Sequence, residues 1–207
     1  MDQKTAIIFD FGGVLINWDA RNLYRKLFPT DETGMEQFLR DVDFSAWNLE
    51  LDRGTPFAQG VNELSGRFPH YASLIKAYDE RWEESLNGPI QPVVDALQRL
   101  KANGYALYGL TNWSHEKFEL VRHKYAFFSL FESIVVSGEV HLVKPDPRIY
   151  TLLLEKIKRR PGQCIFIDDS LKNIATAQSM GFISIHFQSP QQLIDELQRI
   201  GIRVQAT

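Results

Sequence analysis

Residues Ile7 to Asp19 read IIFDFGGVLINWD, an apolar run that stops at an acid, Asp10, and passes at once into Gly12 and Gly13. A continuous apolar run of this kind, rather than an alternating one, is what a strand covered on both faces requires, as in a parallel sheet. Asp10 then stands on the carboxyl tip of a buried strand, where ligands of open α/β sheets bind. Beyond it one pattern repeats: a short apolar run, a polar turn, a helical stretch. That is the α/β signature. Strands are predicted at Ala6 to Asp10, Ala106 to Thr111, Ser133 to Val136, Cys164 to Asp168 and Ile183 to His186. The helices between and after them are predicted at Pro92 to Asn103, His115 to Lys124, Pro147 to Arg159, Leu171 to Met180 and Pro190 to Ile200, with Ser114 and Ser189 as N-cap candidates.

The segment between Ile16 and Pro89 differs: it holds helical patterns, including Glu36 to Val42, Phe57 to Arg67 and Tyr71 to Leu86, and no convincing strand. Trp18, Trp47 and Trp82 all fall there, as expected for a small helical module with a compact core of its own. The expected organisation is α/β, with a catalytic core of residues 1–16 and 89–207 and an all-α cap of residues 17–88 inserted after the first strand. The hinges lie near Asn17 and Gly88-Pro89.

At 207 residues the chain has room for one good-sized core plus such an accessory module. A formal net charge of -3, without a dense Lys/Arg block, gives no electrostatic footprint for nucleic acid or an anionic membrane. The expected partner is a small molecule. No apolar run approaches the roughly 20 residues a membrane span needs, and MDQKTAIIF lacks a signal peptide's apolar core, so the reading is cytoplasmic. Cys164, the single cysteine, excludes an intrachain disulfide and lies in the apolar run QCIFID, where a buried structural thiol is expected.

Four polar clusters end strands on one predicted sheet edge: Asp10, Thr111-Asn112, Lys144 in the LVKPD loop, and Asp168-Asp169. A lone acid at a strand end is ordinarily a turn former or cap. Three carboxylates gathered together repel one another unless a cation neutralises them, and a few oxygen ligands suit Mg²⁺. Asp10 can then stay ionised and attack, while a Thr hydroxyl, an Asn amide and a Lys ammonium stabilise the oxygens of a transferring phosphoryl group.

With these residues in view, the sequence resembles the haloacid dehalogenase-like hydrolase superfamily along nearly its whole length. FDFGGVL is similar to the family's first motif, LTN to the second, the lysine of VKPDPRIY to the third and IDDSLKN to the fourth. The resemblance implies a Rossmann-like core, a helical cap and Mg²⁺-dependent phosphoryl transfer through an aspartyl phosphate, hence a phosphoric monoester hydrolase. Carried over, it makes Asp10 the nucleophile and a metal ligand, and Gly12 a ligand through its carbonyl. It makes Thr111, Asn112 and Lys144 the phosphoryl-binding set, Asp169 a direct metal ligand and Asp168 a ligand or a holder of metal-bound water. Asn173, where many relatives have a further acid, is expected behind the ligands.

The departure is Gly12, where most phosphatases of the superfamily carry an Asp as general acid and base. DFGGVL with a helical cap is most similar to the sugar-1-phosphate phosphatase branch and to the phosphatase domain of some epoxide hydrolases. The resemblance therefore implies leaving groups that need little protonation, such as anomeric sugar phosphates. Asp19 is weighed as a substitute acid against a role as helix N-cap. The alternatives are a 2-haloacid dehalogenase, which the paired acids of IDDS disfavour, and a phospho-ligand binding module without turnover. In the cap, Trp47, Glu50 and Arg53 are candidates to face the substrate, against simple packing. His70, His115, His123, His141 and His186 share no metal-ligand spacing, and Phe127, Phe128 and Phe131 are expected to pack in the core.

Overall fold

The computed structural model describes residues 5–204. The first four residues of the stretch weighed as a leader therefore lie outside the described part. Five parallel strands form the sheet in the order β5-β4-β1-β6-β7. They are β1 (Ala6–Phe9), β4 (Ala106–Thr111), β5 (Ser133–Val136), β6 (Cys164–Asp168) and β7 (Ile183–His186). All five lie where the apolar runs predict them. β1 is central because AIIF has no residue that tolerates water: all four are fully buried.

Alternation along the pleat sends successive side chains to opposite faces. Ile7 and Phe9, with Ile165 and Ile167 of β6, join one apolar cluster that also takes in Val93 and Leu97 of α6 (Gln91–Ala102) and Leu193 and Leu197 of α11 (Pro190–Arg199). Ala6 and Ile8, with Cys164 and Phe166, join the other, against Ile149 and Leu153 of α9 (Pro147–Ile157) and Ile174 of α10 (Leu171–Ser179). Helices thus cover both faces, which is why the strands read as unbroken apolar runs. Cys164 is fully buried, and burial pushes its thiol up to about 11, as a structural thiol requires.

Between β1 and β4 the chain forms a short antiparallel ribbon, β2 (Ile16–Trp18) with β3 (Leu86–Pro89). Between its strands lie five helices: α1 (Ala20–Leu27), α2 (Glu32–Asp41), α3 (Phe44–Asp52), α4 (Phe57–Arg67) and α5 (Ala72–Glu80). The ribbon departs from the all-helical expectation for this segment. Its strands are three and four residues long and meet across nearly seventy residues of chain, so no local periodicity announces them. The helices pack on rings: Tyr24 meets Phe38 at 4.9 Å, and Phe44 meets Tyr78 at 4.9 Å. This packing does not stop at the sheet. Trp82 stacks obliquely on Trp113 at 5.7 Å, and the residues of α1 to α5 belong to the same cluster as Phe9 and Phe11. Phe128 and Phe131 extend it around Phe11, at 5.1 and 5.2 Å. No helix among the described residues is long and apolar enough to cross a membrane.

Candidate active site

The carboxyl ends of β1, β4 and β6 deliver Asp10, Thr111 and Asp168 to one edge, and the loop before α9 brings Lys144 between two of them. The Asp10 backbone N–H continues the ladder to the Ile167 carbonyl (2.9 Å), so its side chain leaves the sheet at a fixed angle. Asp10 Oδ1 accepts from the Phe11 N–H at 2.7 Å and pairs with Lys144 Nζ at 2.9 Å. Lys144, fully buried, also donates to Asp168 Oδ2 at 2.7 Å. Its backbone is clamped by Asn112, whose Oδ1 accepts from the Lys144 N–H (2.8 Å) and whose amide donates to the Lys144 carbonyl (3.0 Å).

Asp168 has no unused side. Oδ1 accepts from the Ser170 N–H (2.8 Å) and both oxygens accept from the Asn173 amide (3.0 and 3.1 Å), in addition to Lys144. Asn173 is buried and serves as the expected support behind this acid. Asp169 is exposed, and its carboxylate lies against the Gly13 backbone: a Cβ on Gly13 would come within 2.3 Å of Asp169 Oδ2. Gly13 also has φ +76, so two separate constraints exclude a side chain there. At Gly12 a Cβ would meet nothing within 4 Å. The Thr111 hydroxyl is buried without a hydrogen-bond partner among the described residues.

Carboxylate oxygens of Asp10, Asp168 and Asp169 lie within 4.8 Å of one another. Burial pushes the Asp10 carboxyl well above its ordinary range; Asp168 and Asp169 add to the rise and Lys144 opposes it. Asp169, although its residue is exposed, is raised by the partial desolvation of its carboxyl against the site and then by Asp168. Burial works against the Lys144 ammonium, yet Asp10 and Asp168 outweigh it and hold the lysine charged. Three acids against one ammonium leave an all-oxygen site short of positive charge, which is the donor chemistry of a hard divalent cation.

Helix α3 meets this edge through Asp52, which contacts Ser114 and Ser137. Asn48 and Asp52 stand one helical turn apart and, together with Gly12 and Asn112, line a cavity of about 50 Å³. A wider cleft of about 520 Å³ between α1, α2 and α3 shares Asn48, Asp52 and Trp18 with it, and carries Arg21, Glu36 and Arg40. Asp52 Oδ1 accepts from the Ser114 N–H (3.1 Å) and Oδ2 from the Asn48 amide (2.9 Å). Burial pushes Asp52 up to about 7, against the lowering pull of the Ser114 N–H, Lys144 and Asn48.

Asp52 went unnoticed in the sequence because it ends a helix rather than a strand. The LDRGT turn is an ordinary helix stop, and only the fold brings it to the cavity that Gly12 lines. Trp47 and Glu50 instead line a separate cleft on another side of α3, and Arg53 pairs with Glu50 at 3.7 Å on the surface. Asp19 caps α1, accepting from the Arg21 N–H at 2.9 Å, and lines the wide cleft. Ser189 caps α11 as expected, whereas the Ser114 side chain makes no cap bond and its N–H is given to Asp52. His115 does gather with Glu119 and Glu139 on the surface, a juxtaposition that sequence spacing alone did not reveal.

A family model described as haloacid dehalogenase-like hydrolase matches residues 4–181. Over 94% of its length the chain is 31% identical to drimenol cyclase drtB of Aspergillus calidoustus, and it spans 35% of that protein. It is 26% identical to sesquiterpene phosphatase astK of Aspergillus oryzae, covering 94% of this chain and 95% of the relative. Among solved structures, the HAD family enzyme bt-2542 of Bacteroides thetaiotaomicron aligns with TM-score 0.74 at 24% identity, over 90% of this chain and 95% of that one. A second structure of bt-2542 is a magnesium complex. At that identity the likeness is one of fold.

Proposed function

From the premise that the chain belongs to the haloacid dehalogenase-like hydrolases, we propose that it is a Mg²⁺-dependent phosphatase of small phosphorylated metabolites, with sugar 1-phosphates as the favoured class. The observation that carries this reading is the buried Asp10–Lys144–Asp168 pairing with Asp169 beside it, at the carboxyl edge of the sheet. In this reading Asp10 attacks phosphorus, the bond to the leaving oxygen breaks, and water then cleaves the aspartyl phosphate. Lys144, the unpartnered Thr111 hydroxyl and the amide hydrogen left on Asn112 donate to the phosphoryl oxygens as charge gathers there.

Asp10, Asp169 and the Gly12 carbonyl would hold Mg²⁺, which when bound neutralises the carboxylates and the phosphoryl group. Asp168, with each oxygen already accepting two hydrogen bonds, supports a role in holding Lys144 and solvent rather than the ion directly. Residues 17–88 form the specificity cap, because the sheet edge offers recognition only to the phosphoryl group. The mixed wall of the wide cleft, with Trp18 to stack on a sugar and Arg21, Glu36 and Arg40 to meet hydroxyls, supports a polar metabolite.

The test is phosphate release from a panel of sugar and aryl phosphates. Activity is expected to require Mg²⁺ and to vanish in Asp10→Asn. Metal-free halide release from 2-haloacids, or phosphate-mimic binding without turnover, would replace this reading with a dehalogenase or a binding module.

A further inference from the structure

Every part of that reaction is present at the sheet edge except a proton donor for the leaving oxygen, since Gly12 has no side chain. We propose that Asp52, on the cap, is the general acid and base: it gives its proton to the leaving oxygen and later takes one from the attacking water. The inference rests on the phosphatase reading. In the first step the Asp10–phosphorus bond forms, the phosphorus–oxygen bond of the substrate breaks, and the Asp52 proton passes to the departing oxygen. In the second the water oxygen bonds phosphorus, the electron pair of the Asp10–phosphorus bond returns to Asp10, and a water proton passes to Asp52. Asp52 ends as it began.

Four observations converge. Gly12, Asn112 and Asp52 together line one cavity of about 50 Å³, with room for about one water or one leaving oxygen. Trp113 lines the same cavity, and its buried indole N–H has no partner among the described residues. A chain of hydrogen bonds fixes Asp52. The Tyr78 hydroxyl donates to Asn48 Oδ1 (2.7 Å), and this turns the Asn48 amide toward Asp52 (2.9 Å). Each Asp52 oxygen accepts one bond in this way and keeps a lone pair for a proton.

Finally, the contacts that seat Asp52 come from the catalytic half, Ser114 N–H to its side chain and Ser137 Oγ to its carbonyl, so the acid is in place when the cap is closed. The charged and titratable groups around it are Lys144, which acts on it through its charge, Tyr78 from α5, and Asp19, Arg21, Glu36, Arg40 and Asp43 around the wide cleft. Burial outweighs the lowering pull of the Ser114 N–H, Lys144 and Asn48 and holds its titration near 7, a suitable value for a group that must both give and take a proton.

The experiment compares kcat/KM for an alkyl phosphate and for 2,4-dinitrophenyl phosphate, whose leaving group needs no proton. Asp52→Asn is expected to lose ~10²- to 10⁴-fold on the alkyl ester and less than about tenfold on the aryl one. Gly12→Asp placed in the Asp52→Asn background, where a new side chain has open space, is expected to restore the alkyl rate selectively. In the wild type, the alkyl ester alone should show a fall in kcat/KM as pH rises past about 7, a measurement that needs no variant. Equal losses on both esters, or identical pH profiles, would reduce Asp52 to a docking contact and overturn the proposal. Retained activity in Asp10→Asn would instead overturn the phosphatase reading itself.

Discussion

Gly13, not Gly12, is the glycine that the backbone cannot replace. At φ +76, with the Asp169 carboxylate where a Cβ would stand, Gly13→Ala is expected to cost at least the roughly 1–2 kcal/mol of the left-handed region and to displace Asp169. Gly12→Ala is expected to be nearly silent in thermal unfolding. The acids of the site differ in the same concrete way. Lys144→Ala strips a buried ammonium from Asp10 and Asp168, and breaking such a pair costs about 3–5 kcal/mol. Asp169→Ala removes an exposed carboxylate that crowds two others. It is expected to leave stability without Mg²⁺ unchanged or improved while abolishing the rise in Tm that Mg²⁺ produces. If both variants lose the Mg²⁺ response equally, the division between metal and phosphate residues fails. Asp52 adds a pH dependence. Its folded pKa, about 7, lies above that of an unfolded carboxylate, so its contribution is intact in acid and is lost as pH rises through about 7. The Tm of Asp52→Asn minus that of the wild type should therefore grow from about pH 5 to about pH 8; a constant difference would mean that Asp52 is not held protonated.

At the scale of elements, α3 presents Asn48 and Asp52 to the site because they are four residues apart, while Trp47, on another side of the helix, gives its indole N–H to the Gly60 carbonyl. The Tyr78 hydroxyl on α5 is one of the contacts that hold α3 at this rotation, through Asn48. Tyr78→Phe leaves Asn48 Oδ1 without its donor and frees the Asn48 amide to turn, so a loss of about 0.5–1.5 kcal/mol in urea unfolding is expected. A loss under a few tenths would show that the rings alone, and not the hydrogen bonds, orient the helix. The β2–β3 ribbon ties the two ends of the segment from Ile16 to Pro89 together.

At the scale of the whole molecule, cap and sheet share one apolar cluster, joined through Trp82 on Trp113 and secured by Lys117, buried on the sheet side and paired with Asp79 of α5. A boundary crossed by core packing gives little reason for the parts to melt separately. Near-ultraviolet and far-ultraviolet circular dichroism are expected to trace one coincident thermal transition; two resolved transitions would show that the cap unfolds by itself.

The residues 6–10, 106–111, 133–136, 164–168 and 183–186 disclosed the sheet by themselves, since a strand buried on both faces must be apolar at every position and nothing else explains such runs between helices. The same logic made the edge acids, Thr111, Asn112 and Lys144 legible, because polar side chains at the tips of buried strands have few places to go. The three- and four-residue ribbon strands, the rotation of α3 and the seat of Asp52 were not legible. Each depends on contacts between residues tens of positions apart, Trp18 with Leu86, Tyr78 with Asn48, Ser114 with Asp52, and leaves no period in the chain. A burial pattern is written locally in sequence. A pairing across the fold arises only when packing brings its two halves together.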